Sequence, residues 1–447
     1  RVRTAGAAAT FEGGALHLSR ITQQRVSIQS VIPELRHGLY PAKRVAGVPV
    51  TIAADIVCDS HDKLAAVLKW RTEGARKWRE TPMQLTVNDR WRGSFTPDDL
   101  GRYEYTVAAW VDRFGTWARD LRTRFEAGTL TDVDLQVGAG LLEEYVTRAG
   151  DDDAPVIERA RRIIAAEDEP NEVRVETALS AALAEAVFRA DPRQWAAEHP
   201  RKVPLRVERP RAQFSTWYEM FPRSASPEPG RHGTFRDVVA RLPYVASMGF
   251  DVLYLPPIHP IGRSYRKGRD GATVAQPDDP GSPWAIGSEE GGHTAIHPEL
   301  GTLDDFHALV TAAREHGIEI ALDIAFQCSP DHPWVKQHPE WFRHRPDGTI
   351  QYAENPPKKY QDIFPLDFES SDATGLWKAL RGVFEYWIEQ GVRIFRVDNP
   401  HTKSVRFWDW CIDGLTREHP DTIYLAEAFT RPKMMYELAL RGFTQSY

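Results

Sequence analysis

Hydrophobic and polar positions along the chain change their period twice. Short β-prone runs at residues 48–57, 65–70, 91–95 and 103–111 alternate between apolar and polar positions, with turn residues between them. That period of two predicts a β-sandwich of about seven strands over 26–126. From about residue 127 apolar positions recur every three to four residues, at 141–146, 156–166 and 175–188, which predicts a helical-bundle insertion over 127–200. After Pro210 apolar runs at 214–219, 252–255, 318–323, 392–397, 423–427 and 442–447 alternate with helical stretches at 234–248, 302–316 and 373–390. Each of those stretches ends beside a glycine, as helix C-caps favour. Strands alternating with helices predict a parallel sheet with βα crossovers. A closed (β/α)8 TIM barrel needs two more such units, so the expectation for 201–447 is an incomplete barrel, truncated after about six strands, with an excursion at about 327–370. Residues 1–25 are small and polar, lack periodicity, and read as a disordered leader.

Composition narrows the classes. With 42% hydrophobic and 27% charged residues among 447, and no apolar stretch near the ~18 residues a membrane helix needs, the chain reads as a globular protein without a membrane partner. The 56 Lys+Arg against 63 Asp+Glu give a net charge of -7, so there is no basic footprint for nucleic acid. Cys58, Cys328 and Cys411 are far apart and odd in number, which fits neither a disulfide framework nor a zinc spacing and suggests a cytoplasmic location. Cys328, His332 and His338 form the nearest thing to a metal cluster, but Pro330, Pro333 and Pro339 interrupt any helix there and a fourth ligand is missing. No metal and no cofactor are expected. Trp334, Trp341 and Phe342 read as the core of the excursion more readily than as platforms for sugar rings.

Two strands of the second half end in a carboxylate at the same relative place, Asp398 after the run at 392–397 and Glu427 after the run at 423–426. The C-terminal strand ends form the active-site face of a β/α barrel, so consecutive strands present both carboxylates to one pocket. A retaining glycosidase needs such a pair, one carboxylate to form a glycosyl-enzyme and one carboxylic acid to protonate the leaving group. Arg396, two residues before Asp398, shares its face and is placed to hold and orient it by a charge-assisted bond.

The motif Phe395-Arg-Val-Asp-Asn-Pro-His401, the motif Tyr424-Leu-Ala-Glu427 and Asp323 resemble three signature regions of the α-amylase clan (glycoside hydrolase family 13). Gln327-Cys328 stands where amylases carry Asn-His, a departure that argues against an ordinary hydrolytic amylase. The segments Asp323 to Trp334, Asn355-Pro-Pro-Lys-Lys-Tyr-Gln-Asp362, Leu255 to Arg263 and Arg396 to Lys403 resemble the α-1,4-glucan:maltose-1-phosphate maltosyltransferases. That family places a β-sandwich carrying helices before its barrel, so the resemblance covers most of the chain and implies a fragment lacking the barrel's end and the C-terminal domain.

The resemblance implies the roles. Asp398 would take the maltosyl group, Glu427 would act as general acid/base and Arg396 would support them. Asn355, Lys358, Tyr360 and Asn399 would surround the leaving phosphate, and Lys267, Gln327 and Asp362 would hold the donor. The implied partners are α-maltose 1-phosphate, an α-1,4-glucan and a second copy of the chain in a homodimer. The clan's third carboxylate would lie beyond Tyr447, and the chain as given would then be inactive. Two other readings stay open, an α-glucan hydrolase of the clan and a non-catalytic glucan-binding protein.

Overall fold

A computed structural model describes residues 22–447, so most of the segment expected to be a disordered leader lies outside the described residues. The chain divides into two compact units, one reaching to Asp98 and resuming from Arg102 to Arg206, the other comprising Asp99–Gly101 and Val207–Tyr447. No described helix is long and apolar enough to cross a membrane.

The first unit holds strands β1 Val26–Ile32, β2 Ala42–Val45, β3 Val50–Cys58, β4 Leu64–Thr72, β5 Arg79–Pro82, β6 Gln84–Leu85, β7 Arg90–Phe95, β8 Gly101–Val111, β9 Ala197–Glu198 and β10 Val203–Glu208. One sheet runs β1-β3-β7-β6 and the other β2-β10-β8-β4-β5, with β9 on β8. Trp70 of β4 stacks on Phe95 of β7 with ring centroids 4.4 Å apart, which joins the two sheets face to face. On its other face the β4/β8 pair buries Ala65, Val67, Ala108 and Trp110 against Phe188.

Phe188 belongs to a set of helices, α1 Arg113–Glu126, α2 Asp132–Val146, α3 Ala154–Ala165, α4 Asn171–Ala178 and α5 Ala181–Ala190. Two boundaries differ from expectation. The strands of the expected 26–126 sandwich end at Val111, because Asp112 accepts from the Gly115 amide and starts α1. Phe114, Trp117 and Leu121 of α1 then follow a helical period that the aromatic and glycine content disguises. The run expected as one helix at 175–188 breaks at Ser180, whose side chain caps α5 by accepting from the Leu183 amide. The chain also returns to the sandwich sheet at β10, inside the interval expected to open the barrel.

The second unit begins with the short helix α6 Pro210–Gln213 and strand β11 Trp217–Glu219, followed by α7 Phe235–Ser247, β12 Val252–Leu255, α8 Leu303–Glu315 and β13 Glu319–Ile324. The expected excursion contains β14 Gln327–Cys328, α9 Pro333–Gln337, β15 Ala353–Asn355, β16 Lys358–Tyr360 and β17 Phe364–Pro365. Then come α10 Ala373–Glu389, β18 Ile394–Val397, α11 Val405–Glu418, β19 Ile423–Ala426, α12 Pro432–Leu440 and β20 Gln445–Ser446. The sheet order is β11-β12-β13-β18-β19-β20, with every neighbouring pair parallel. Thr234 and Thr302 start α7 and α8 with reciprocal capping boxes to Asp237 and Asp305.

Both faces of this sheet are buried, which is why its strands read as unbroken apolar runs. Leu253, Leu255, Leu322, Phe395 and Tyr424 face the helices. Val252, Tyr254, Ala321, Ile394 and Ile423 pack on the opposite face. Trp341 and Phe342 are each 3% exposed and pack in the helix-side core, while Trp334 packs partly buried against it.

Trp387 of α10 is fully buried and donates its indole N–H to the His293 carbonyl at 2.8 Å. Trp387→Ala is expected to destabilise this unit by about 3–5 kcal/mol, and Thr234→Ala by about 1 kcal/mol. Both are read as shifts in the denaturant midpoint of wild type and variant.

Candidate active site

The parallel ladder places the carboxylates. Asp323 pairs in register with Arg396, and Val397 with Ala426, so Asp398 and Glu427 occupy equivalent positions one step beyond adjacent strands. The ladder continues through both, the Asp398 amide donating to the Ile324 carbonyl at 2.9 Å and the Glu427 amide to the Val397 carbonyl at 3.1 Å. Arg396 and Asp398 point the same way because strand side chains alternate.

Arg396, 5% exposed, is the hub. Its Nη1 donates to Asp323 Oδ2 at 2.7 Å and to Asp398 Oδ1 at 2.9 Å, while Nη2 pairs with Glu427 Oε1. Its Nε donates to Tyr447 Oη at 3.1 Å. Burial acts to lower the guanidinium pKa, but Asp323 and its other partners more than offset this, so the net direction is upward. Asp323 is also met by Tyr254 Oη at 2.5 Å and Trp284 Nε1 at 3.3 Å, both donating to Oδ2, and its Oδ1 has no partner. Burial pushes the Asp323 carboxyl up to about 7 against the pull of Arg396. Glu427 is likewise raised, by burial first and by Asp398 beside it, with Arg396 opposing. The Asn399 amide donates to Glu427 Oε2 at 3.3 Å.

Asp398 opens onto a cavity of about 1720 Å³. Lys267, Gln327, Asn355, Lys358, Tyr360, Asp362 and Asn399, the binding residues singled out from sequence, all line it with Asp398. Arg396 and Glu427 are not among the lining residues; Arg396 bonds Asp398 directly. Asn355 and Lys358 face each other across the β15/β16 hairpin. Asn355, Lys358 and Tyr360 are exposed on that hairpin, whereas Asp362 is 2% exposed with Oδ1 unpartnered. Burial raises the Asp362 carboxyl, and the charge of Lys267 opposes the shift. Gln327 is fixed by donating from Nε2 to the Trp284 carbonyl at 3.2 Å.

Tyr254, Trp284 and Lys403 were not singled out from sequence. Tyr254 lies on the inner face of β12 at a position that reads as ordinary core. Trp284 comes from a glycine-rich loop whose path has no periodic signal. Cys328 and His332 do come together, but with His293 and not with His338. The Trp334 amide donates to His332 Nδ1 at 3.0 Å, so Nε2 of His332 carries the proton and donates to His293 Nδ1 at 3.1 Å. His293 in turn donates from Nε2 to the Ala325 carbonyl at 2.9 Å. All four ring nitrogens are engaged in this neutral chain, which braces the end of β13 against the surrounding loops. Burial lowers all three imidazoles of the group, His332 to about 3, neighbouring His259 to about 4, and His293 well below the ordinary value.

Two family models match the chain. That of the α-1,4-glucan:maltose-1-phosphate maltosyltransferase N/S domain covers residues 24–209, and that of the α-amylase catalytic domain covers 219–393. The α-1,4-glucan:maltose-1-phosphate maltosyltransferase of Chlorobaculum tepidum is 52% identical over 425 residues, 95% of this chain and 63% of that protein. The enzyme of the same name from Pseudomonas aeruginosa is 49% identical, over 96% of this chain and 64% of that protein. One from Cereibacter sphaeroides is 49% identical, over 96% of this chain and 72% of that protein. The chain therefore spans a little under two thirds of the first two relatives. Among solved structures, an α-amylase from Lactobacillus plantarum is 32% identical over 52% of this chain and 49% of that one, with a TM-score of 0.41.

Two outcomes follow from the charges. Arg396→Met leaves buried carboxylates without their cation and is expected to cost about 3–5 kcal/mol at pH 8. The loss should shrink at pH 5, where the raised Asp323 and Glu427 carboxyls take up protons; denaturation midpoints at the two pH values check it. The buried imidazoles have depressed folded-state values, so their stabilising contribution is complete above the unfolded histidine value of about 6.5 and is lost as pH falls below it. Stability should decline from about pH 6.5 downward, with ring-carbon NMR showing His293 and His332 still neutral at pH 5.

Proposed function

We propose, because the chain belongs to the α-1,4-glucan:maltose-1-phosphate maltosyltransferase family, that it is a retaining glycosyltransferase moving maltosyl units from α-maltose 1-phosphate to the non-reducing end of an α-1,4-glucan. The observation that carries this reading is the gathering of Asp398, Asn399 and the hairpin residues Asn355, Lys358 and Tyr360 around one cavity. In this reading the six parallel strands belong to an α-amylase-type (β/α)8 barrel, and helices α1 to α5 are an insertion in the sandwich.

Asp398 attacks the anomeric carbon and takes the maltosyl group, as the C–O bond to phosphate breaks and the electron pair leaves with the phosphate. Arg396 orients Asp398 for this attack through the 2.9 Å bond. Phosphate departs with its own charge, and ammonium, amide and phenol donors from Lys358, Asn355, Asn399 and Tyr360 stabilise it. Glu427, raised so that its acid form persists to higher pH, supplies a proton to the departing oxygen. As a base it then takes the proton from the glucan 4-hydroxyl, which attacks the glycosyl-enzyme from the vacated side and restores the α configuration. Lys267, Gln327 and Asp362 hold the sugar. The rival hydrolysis would put water in the acceptor's place, but the cations and amides on the rim suit an anionic leaving group.

The test is phosphate release by the full-length protein from α-maltose 1-phosphate, with and without maltohexaose. Release that depends on acceptor, with products longer by two glucose units, is the expected outcome. Asp398→Ala should abolish it, and Glu427→Gln should lower kcat by about 10²–10⁴-fold and flatten the alkaline limb of the pH profile. Shortening of maltohexaose without phosphate release would establish a hydrolase, and glucan binding without turnover a binding protein.

A further inference from the structure

Four lysines line the cavity, Lys267, Lys358, Lys359 and Lys403. Lys358 and Lys359 are exposed on the β15/β16 hairpin and Lys267 sits in the loop after β12. Lys403 is different in origin and setting. Asn399 adopts a left-handed conformation with φ of 41°, and a single 3-10 turn over Pro400–Thr402 follows. This tight reversal brings Thr402 and Lys403 back to the wall that holds Asp398 and Asn399. Trp408 pins the turn by donating its indole N–H to the Pro400 carbonyl at 2.9 Å.

Lys403 is only partly exposed and, among the described residues, its ammonium has no carboxylate within ion-pair distance; its one bond is from Nζ to Thr402 Oγ1 at 3.0 Å. Burial pushes this ammonium below the ordinary lysine value, and the charges that reach it and hold it up are those of Asp398, Glu427 and Asp323. The cation thus lines the same cavity as Asp398 and feels the charges of Asp398, Glu427 and Asp323. Buried charges are ordinarily paired, and one left with spare donors facing a cavity is completed by a ligand of opposite charge. The ammonium has three N–H donors and spends one on Thr402, so two remain for an anion.

We propose that Lys403 is a specificity-determining residue that binds the phosphate of the donor, discriminating a glycosyl phosphate from a donor with an uncharged or non-oxygen leaving group. This rests on the maltosyltransferase reading and adds to it a cation fixed in the wall of the site. The hairpin lysines reach the phosphate from solvent, while Lys403 meets it from within, where a lower dielectric strengthens the attraction.

The experiment compares wild type, Lys403→Met and Lys403→Arg in the full-length protein, with thermal melts confirming that each is folded. Three quantities are read: kcat/KM for α-maltose 1-phosphate, kcat/KM for α-maltosyl fluoride with the same acceptor, and the affinity for inorganic phosphate by calorimetry. In Lys403→Met the loss on the phosphate donor should exceed the loss on the fluoride by at least about tenfold, one full charge contact. Phosphate affinity should fall in parallel, and Lys403→Arg should restore most of both. Equal losses on the two donors, or unchanged phosphate affinity, would overturn the assignment. Wild type that binds phosphate through Lys403 yet fails to turn over α-maltose 1-phosphate would sink the maltosyltransferase reading alone. Wild type that turns it over while indifferent to Lys403→Met would sink only this assignment.

Discussion

A single buried guanidinium serves three carboxylates, and the arrangement around it depends on that. Asp323, Asp398 and Glu427 come from three adjacent strands and all reach Arg396. Bringing acidic groups together out of water is costly, and it is tolerated where a cation with several donors in a fixed plane can meet them at once. Arginine suits the position because its nitrogens bond different oxygens simultaneously, and Tyr447 takes the remaining Nε–H. The requirement propagates outward. Arg396 must sit one register step below the ends of its neighbours, which fixes the pairing of β13, β18 and β19, and the helices packed outside hold that register by burying the other face.

The cavity accordingly has two layers with different mechanical characters. Its floor is built from strand ends and a hydrogen-bonded ladder, where side-chain positions are set by backbone geometry. Its rim is built from the β15/β16 hairpin, whose Asn355, Lys358 and Tyr360 are exposed, and the loop carrying Lys267. A floor fixed by backbone pairing suits groups that must keep a set geometry, while an exposed polar rim is open to whatever enters the cavity. The neutral histidine chain from His332 through His293 to the Ala325 carbonyl ties the loops to the floor without adding charge near the carboxylates.

Much of this was legible in the sequence, for a physical reason. Strands buried on both faces read as short apolar runs, and the run at 252–255 coincides with β12. A carboxylate directly after such a run lands on the end of the sheet whatever the loops do, so the placing of Asp398 and Glu427 followed from position alone. The seven residues expected to bind substrate came from resemblance, and their convergence on one cavity depends on loops that carry no period. What escaped was set by single side chains against local pattern: Asp112 turning an aromatic, glycine-containing stretch into α1, and Ser180 dividing what reads as one helix. Tyr254 was invisible as a partner because its burial is that of any core residue, and only the fold brings its hydroxyl to Asp323.

In the maltosyltransferase reading, the charge balance of the floor gives a separate cation in the wall its purpose. Arg396 has its charge engaged by carboxylates that the chain itself supplies and is not among the residues lining the cavity. In the maltosyltransferase reading a phosphate meets a floor whose buried cation is already engaged by three acidic groups, and exposed rim lysines, screened by solvent, attract it weakly. A cation close to the acids yet not paired with them adds attraction for an anion while leaving the Arg396 network undisturbed. Lys403, delivered by the sharp turn that follows Asp398, lines the cavity beside it, so in the maltosyltransferase reading the same few residues present both the nucleophile and the charge that an anionic leaving group requires.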